Sequence, residues 1–166
     1  MTIMRFATVS GALNAAAVAA GPARAEKIQD PMRFFEGRTE SHSTIKVFTR
    51  KPMRSWALGR GTIKPDGSLE LVQRVEEDGK PARVRRWVIR HTGPGRFAGT
   101  MSEATSPVTI EQVGARYRFR FKMKGNLAVE QWLTPLAGGR SARNQVTVRK
   151  FGIKVGSSEG TIRKIG

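Results

Sequence analysis

The chain has 166 residues, enough for one domain whose core buries roughly 70% of the unfolded surface. Lys and Arg number 30 against 13 acids, a net charge of +17 with a pI near 11.6, so its electrostatic partners are anions such as phosphates, nucleic acid or acidic head groups. The absence of cysteine excludes disulfides, thiolate chemistry and cysteine-held metals.

The first stretch, MTIMRFATVSGALNAAAVAAGPARA, sets Arg5 before a run of small apolar residues and ends on Ala23-Arg24-Ala25. That order is the pattern of a secretory signal, and the run is too short and too mild to span a bilayer. Residues 1–25 are therefore expected to be a cleaved signal peptide. Its removal takes Arg5 and Arg24 and no acid, which brings +17 down to +15. An uncleaved, alanine-rich leader is the alternative.

Next, QDPMRFFEGR offers Asp30 as a helix cap, Pro31 for the first helical position and Gly37 just past the end. This predicts a helix of one or two turns presenting Phe34 and Phe35. After it the helical period is lost, and alternating runs separated by turn residues predict antiparallel strands. The turns fall at Pro65-Asp66-Gly67, Asp78-Gly79, Gly93-Pro94-Gly95, Gly125-Asn126 and Gly138-Gly139. SLELVQRVEE puts Leu69, Leu71 and Val75 on one face, and RNQVTVRKF puts Val146 and Val148 together. About eight to ten strands in up-and-down order fit residues 26–166 as a single antiparallel β-barrel domain, closed so that no edge is exposed.

The stretch ARYRFRFKMKG alternates most strictly: Arg116, Arg118, Arg120 and Lys122 on one face, Tyr117, Phe119, Phe121 and Met123 on the other. A single-strand nucleic-acid platform needs rings and cations on a shared face. The pattern instead predicts rings in the core and arginines in water, and nucleic acid is not an expected partner. The mirror arrangement, an outer-membrane barrel with rings toward lipid, needs an apolar band on every strand. RSWALGRGTIK and TIEQVGA lack one.

Catalysis has little material. His42 and His91 are the only histidines and have no metal-ligand spacing. Asp30, Asp66 and Asp78 read as caps or turns, and Glu76-Glu77 as solvated residues before a turn. The expectation is a protein that is not an enzyme, without cofactor or metal. RVRRWVIRH is more informative, because Arg85 shares a parity with Trp87 and Ile89. Three arrangements are open: Arg85 inside as an anchor for an acidic head group, Arg85 stacked on Trp87 without a ligand, or Val84 and Val88 inside with Arg85 in water. A buried Arg85 would need a carboxylate, carbonyls or a bound anion.

FFEG at Phe34 to Gly37, RRW at Arg85 to Trp87, and NQVTVRKFGIKVG from Asn144 to Gly156 resemble domain-of-unknown-function family 3833, small exported bacterial proteins often described as lipoproteins. The resemblance runs from about Asp30 to Ile165, and Lys150-Phe151-Gly152-Ile153 with Val155-Gly156 is its most specific part. It implies a lipocalin-like barrel in the bacterial envelope and no assigned activity. The leader lacks the cysteine that lipidation would need, so a soluble periplasmic form without a lipid anchor is expected. An acidic pair before the later Trp stands here as Glu130-Gln131.

The reading reached from sequence is a non-enzymatic envelope protein that binds an apolar or lipid-like molecule inside a barrel. Arg85, Trp87, Tyr117, Phe119 and Phe121 are its candidate ligand-binding residues, and Phe34-Phe35 would close one end. The alternative is a basic surface binder of an anionic membrane or polymer, with no cavity.

Overall fold

Asp30 caps the helix α1 (Pro31–Phe35), its Oδ1 accepting the Met32 N–H at 2.7 Å, in the computed structural model, which describes residues 30–166. The proposed signal peptide lies outside the described residues. Pro31 starts the helix without an orphaned N–H, and Gly37, at φ +89°, turns the chain into the first strand. Ten strands follow: β1 (Gly37–Val47), β2 (Met53–Ile63), β3 (Leu69–Glu77), β4 (Lys80–Gly93), β5 (Arg96–Met101), β6 (Val108–Val113), β7 (Arg116–Met123), β8 (Leu127–Pro135), β9 (Ser141–Lys150) and β10 (Ile153–Lys164).

Each strand pairs with its sequence neighbours, and β10 returns to β1 from Thr39↔Lys164 to Val47↔Gly156, which closes the barrel. The expected up-and-down barrel is what forms, at the upper end of the expected strand number. Closure leaves no strand edge to aggregate.

Parity holds on β7. Tyr117, Phe119 and Phe121 are buried, while Arg116, Arg120 and Lys122 face water. A wall with its cations outside and its rings inside is the reverse of a lipid-facing barrel, and the rings are not available for stacking on bases. Leu69, Leu71 and Val75 are likewise buried on β3.

The expected turns join the expected strands, with Gly125 and Asn126 at φ +83° and +59° in the β7–β8 hairpin. The run RNQVTVRKF does not extend as far as it reads. β9 stops at Lys150, and Phe151 takes the left-handed region at φ +48° in the β9–β10 turn. The alternation alone could not reveal that the chain turns at Phe151-Gly152, one residue early.

The two ends of the barrel differ. At one, α1 lies across the opening, with Phe34 and Phe35 edge to face at 5.1 Å. Above it Leu69, Ile89, Val108, Ile110 and Leu133 fill the cross-section. Each such side chain contributes roughly 1.5–3 kcal/mol by leaving water. Gly61 permits this closure, because a Cβ there would overlap the Phe35 carbonyl. Gly61→Ala is therefore expected to cost roughly 1–3 kcal/mol by displacing α1, and a denaturant midpoint unchanged from wild type would contradict this packing. The far end, reached by the β1–β2, β3–β4, β5–β6, β7–β8 and β9–β10 connections, has no such plug among the described residues.

Candidate functional site: an interior cavity with a charged mouth

Above the packed layer the barrel is hollow, with a cavity of about 460 Å³. The hollow arises because one half of the wall spends its inward positions on small residues. β1 offers Ser41 and Ser43, β2 offers Ser55 and Ala57, and β10 offers Gly156 and Ser158. The opposite half carries Trp87 on β4, Phe119 and Phe121 on β7 and Val129 on β8. Phe35 of α1 forms part of the floor.

Trp87 organises the aromatic half. Its ring meets Phe119 at 6.4 Å and Phe121 at 5.8 Å, both edge to face, an arrangement that ring quadrupoles favour. Its Nε1–H donates to Gln73 Oε1 at 2.9 Å. Across the cavity Gln131 Nε2 donates to Asn144 Oδ1 at 2.8 Å. These inward amides satisfy one another, so the cavity presents rings, aliphatic groups and small hydroxyls. Among the described residues, every buried side-chain nitrogen or oxygen has a partner.

Arg85 points inward, as the parity it shares with Trp87 requires, and lines the cavity. Its partner is the carboxylate of Glu103, to which Nε donates at 2.7 Å. The arrangement with Val84 inside does not occur, since Val84 is 65% exposed. Nor does Arg85 stack on Trp87. The cation–ring contacts among the described residues are Arg116 and Arg118 over Trp132 on the outer wall, and Lys150 over Phe151.

Glu103 belongs to a chain of alternating charge along the mouth. Lys80 Nζ meets Glu77 at 2.6 Å, Arg83 bridges Glu77 at 2.8 Å and Glu103 at 2.6 Å, and Arg85 completes the row. Glu77 corrects the expectation of a solvated pair. It follows Val75 on the inward parity of β3, and its side chain is only 7% exposed. Burial pushes both carboxyls up, but their arginines and, for Glu77, Lys80 outweigh it. Both are held below the ordinary glutamate range. Arg83 is disfavoured by the same burial, yet hydrogen bonds from it to Glu77 and Glu103 raise its value overall. With Lys80, Arg83 and Arg85 sharing the two carboxylates of Glu77 and Glu103, the row carries one positive charge in excess.

Of the five candidate residues, the cavity thus brings together Arg85, Trp87, Phe119 and Phe121. Tyr117 is placed elsewhere. It lies in the packed layer toward α1, its ring 6.2 Å from Phe97 and outside the cavity wall. Two positions further along β7, toward the open end, Phe119 reaches the hollow. Sequence reasoning missed Glu103, which sits in the irregular segment between β5 and β6, where no periodicity marks its direction. The small-residue half was legible in principle, since Ser41, Ser43, Ser55 and Ser158 all lie on inward parities.

The remaining polar candidates have structural employment. Asp30 caps α1 and meets His91 Nε2 at 3.0 Å. Asp66 accepts the Ser68 N–H in its turn, and Asp78 pairs with Arg54. His42 lies against Glu40, which the Arg163 hydrogen bond, then those from Trp56 and His42, lower to about 2. Glu130 takes the Trp132 Nε1–H on the outside while Gln131 faces in.

The family model described as a protein of unknown function (DUF3833) matches residues 12–164. No curated protein matches the sequence. The fold is similar to that of the S-type phycobiliprotein lyase CPES from Guillardia theta, with a TM-score of 0.64 at 10% identity over 82% of this chain and 91% of that one. It is also similar to a protein of unknown function from the DUF3598 family of Nostoc punctiforme, with a TM-score of 0.63 at 10% identity over 88% of this chain and 53% of the other. At such identities the likeness concerns the barrel alone, a lipocalin-like architecture.

Proposed function

The chain belongs to the DUF3833 family, described as proteins of unknown function, and on that premise we propose that it binds a small apolar or lipid-like molecule in its barrel without converting it. The observation that carries this reading is the cavity itself. About 460 Å³ falls within the roughly 300–1,000 Å³ of small-molecule sites, and rings form one wall with a charged row at the entrance. An acyl chain would lie against Trp87, Phe119 and Phe121. An acidic head group would stay at the mouth near Arg83 and Arg85, drawn by the charge left over in that row. Binding rather than catalysis is supported by the ion pairs that hold Lys80, Arg83 and Arg85 to Glu77 and Glu103, since groups so held are not poised to move a proton.

The proposed setting is the periplasm, reached by the leader. Nucleic acid is not proposed as a partner, since the rings of β7 are internal.

Titration of the full chain with a fluorescent long-chain fatty acid, in wild type and Ser55→Phe, tests the reading. Ser55 faces the hollow, so a phenyl ring there occupies ligand space at little cost to the core. Expected is saturable binding near one per chain, at least tenfold weaker in the variant (the ring displacing roughly 1.4 kcal/mol or more of ligand contact), with an unchanged or raised thermal midpoint. Equal affinity in a folded variant would contradict it.

A further inference from the structure

We propose that the open rim of the barrel docks on an anionic lipid bilayer, with Phe48, Phe151 and Ile153 entering the interface and the cavity mouth facing lipid. These three are the most exposed large apolar residues among those described, at 90%, 78% and 70%. All lie at the open end and on one arc of it. Phe48 follows β1, Phe151 and Ile153 straddle the turn into β10, and β1 pairs with β10. The Phe48 N–H donates to the Val155 carbonyl at 3.2 Å, which ties the two loops together.

Phe151 is doubly out of place for a soluble turn. It exposes a ring to water and holds a left-handed backbone that bulky side chains disfavour. A turn selected for folding alone would carry Asn or Gly there.

Charge surrounds the same arc. Lys46, Arg50, Lys51, Lys150 and Lys154 take part in none of the ion pairs among the described residues. Protruding rings ringed by unpaired cations are the chemistry of an acidic bilayer surface, where rings sit at head-group depth and lysines meet phosphates. A soluble polyanion would use the cations and leave the rings in water. A protein partner would call for a concave apolar patch rather than hairpin tips. Lys46 also lines the cavity, so the docking arc and the entrance are continuous. The docking stands on the rim alone, whereas exchange of cargo with the bilayer through it rests on the cavity reading above.

The test is co-sedimentation of the full chain with phosphatidylcholine vesicles, with and without phosphatidylglycerol, for wild type and a Phe48→Ser/Phe151→Asn double variant. Asn suits the left-handed turn, so the variant is expected to fold at least as stably, checked by its thermal midpoint. Expected is partition at least tenfold stronger onto the acidic vesicles, falling at least tenfold in the variant, while fatty-acid binding in vesicle-free solution stays unchanged. No vesicle binding, or binding equal in the two proteins and abolished by salt alone, would overturn the docking and leave a protein partner or simple surface charge. Vesicle binding that depends on the rings, in a protein that loads no fatty acid, would uphold the docking and remove the cavity reading instead.

Discussion

Replacing Phe119 with alanine is expected to lower stability by about 3–5 kcal/mol, a drop in thermal midpoint on the order of 10–15 °C. Phe119 is 2% exposed and stands where the packed layer gives way to the hollow, edge to face with Trp87. Truncation therefore removes a buried ring from the core and merges the vacated space with the cavity. Two consequences follow together: the fold weakens, and the enlarged hollow accepts a bulkier ligand than wild type. Phe119→Leu, which keeps most of the volume, should lose far less. Calorimetry with a chain-length series of fatty acids measures both effects. A loss below about 1 kcal/mol would mean that the ring does not pack as described.

Glu103→Gln is the second large effect. The carboxylate serves Arg83 and Arg85 at once, at 2.6 and 2.7 Å, with side chains between about a quarter and a third exposed. Neutralising it leaves the partly buried Arg85 without a carboxylate among the described residues and Arg83 with Glu77 alone. The cost is roughly 1–3 kcal/mol, the partial exposure keeping it below the penalty of a fully buried break. Affinity for an acidic head group should rise, because the mouth gains positive charge.

The pH dependence is distinctive. A carboxyl held below its ordinary range stabilises the fold above about pH 4.3 and loses that contribution as pH falls through the folded value. Wild type should therefore lose stability on acidification below pH 4.3 more steeply than Glu103→Gln does. Parallel acid profiles would show that the carboxylate contributes nothing.

The comparison of sequence with structure separates what period can reveal from what only space can. Strict alternation from Arg116 to Met123 defined which side of the wall the rings occupy, and the turn residues at Asp78-Gly79 and Gly125-Asn126 delimited the hairpins around it. The cap at Asp30 and the pair Phe34-Phe35 were legible because helix termini use few residue types. Period two says which face a side chain takes, not how deep along the barrel it lies. This is why Tyr117 was grouped with Phe119 although it belongs to the packed layer. It is also silent on partners far apart in the chain. That Arg85 needed a counter-charge was clear from the cost of burial, but Glu103 lies in an irregular segment with no pattern to aim it. The rim rings were hidden for a related reason, since parity sets Phe151 on the outer face with Thr147 and Arg149 without showing that it stands in a left-handed turn at the open end.

The central claim is that the hollow above Phe35 is ligand space. Native mass spectrometry of the full chain purified from its own host tests it most directly. The account predicts a bound apolar mass, near one per chain, that is released by organic solvent and reduced in Ser55→Phe. Protein that is ligand-free in every preparation, with an interior filled by side chains in an experimental structure, would contradict it.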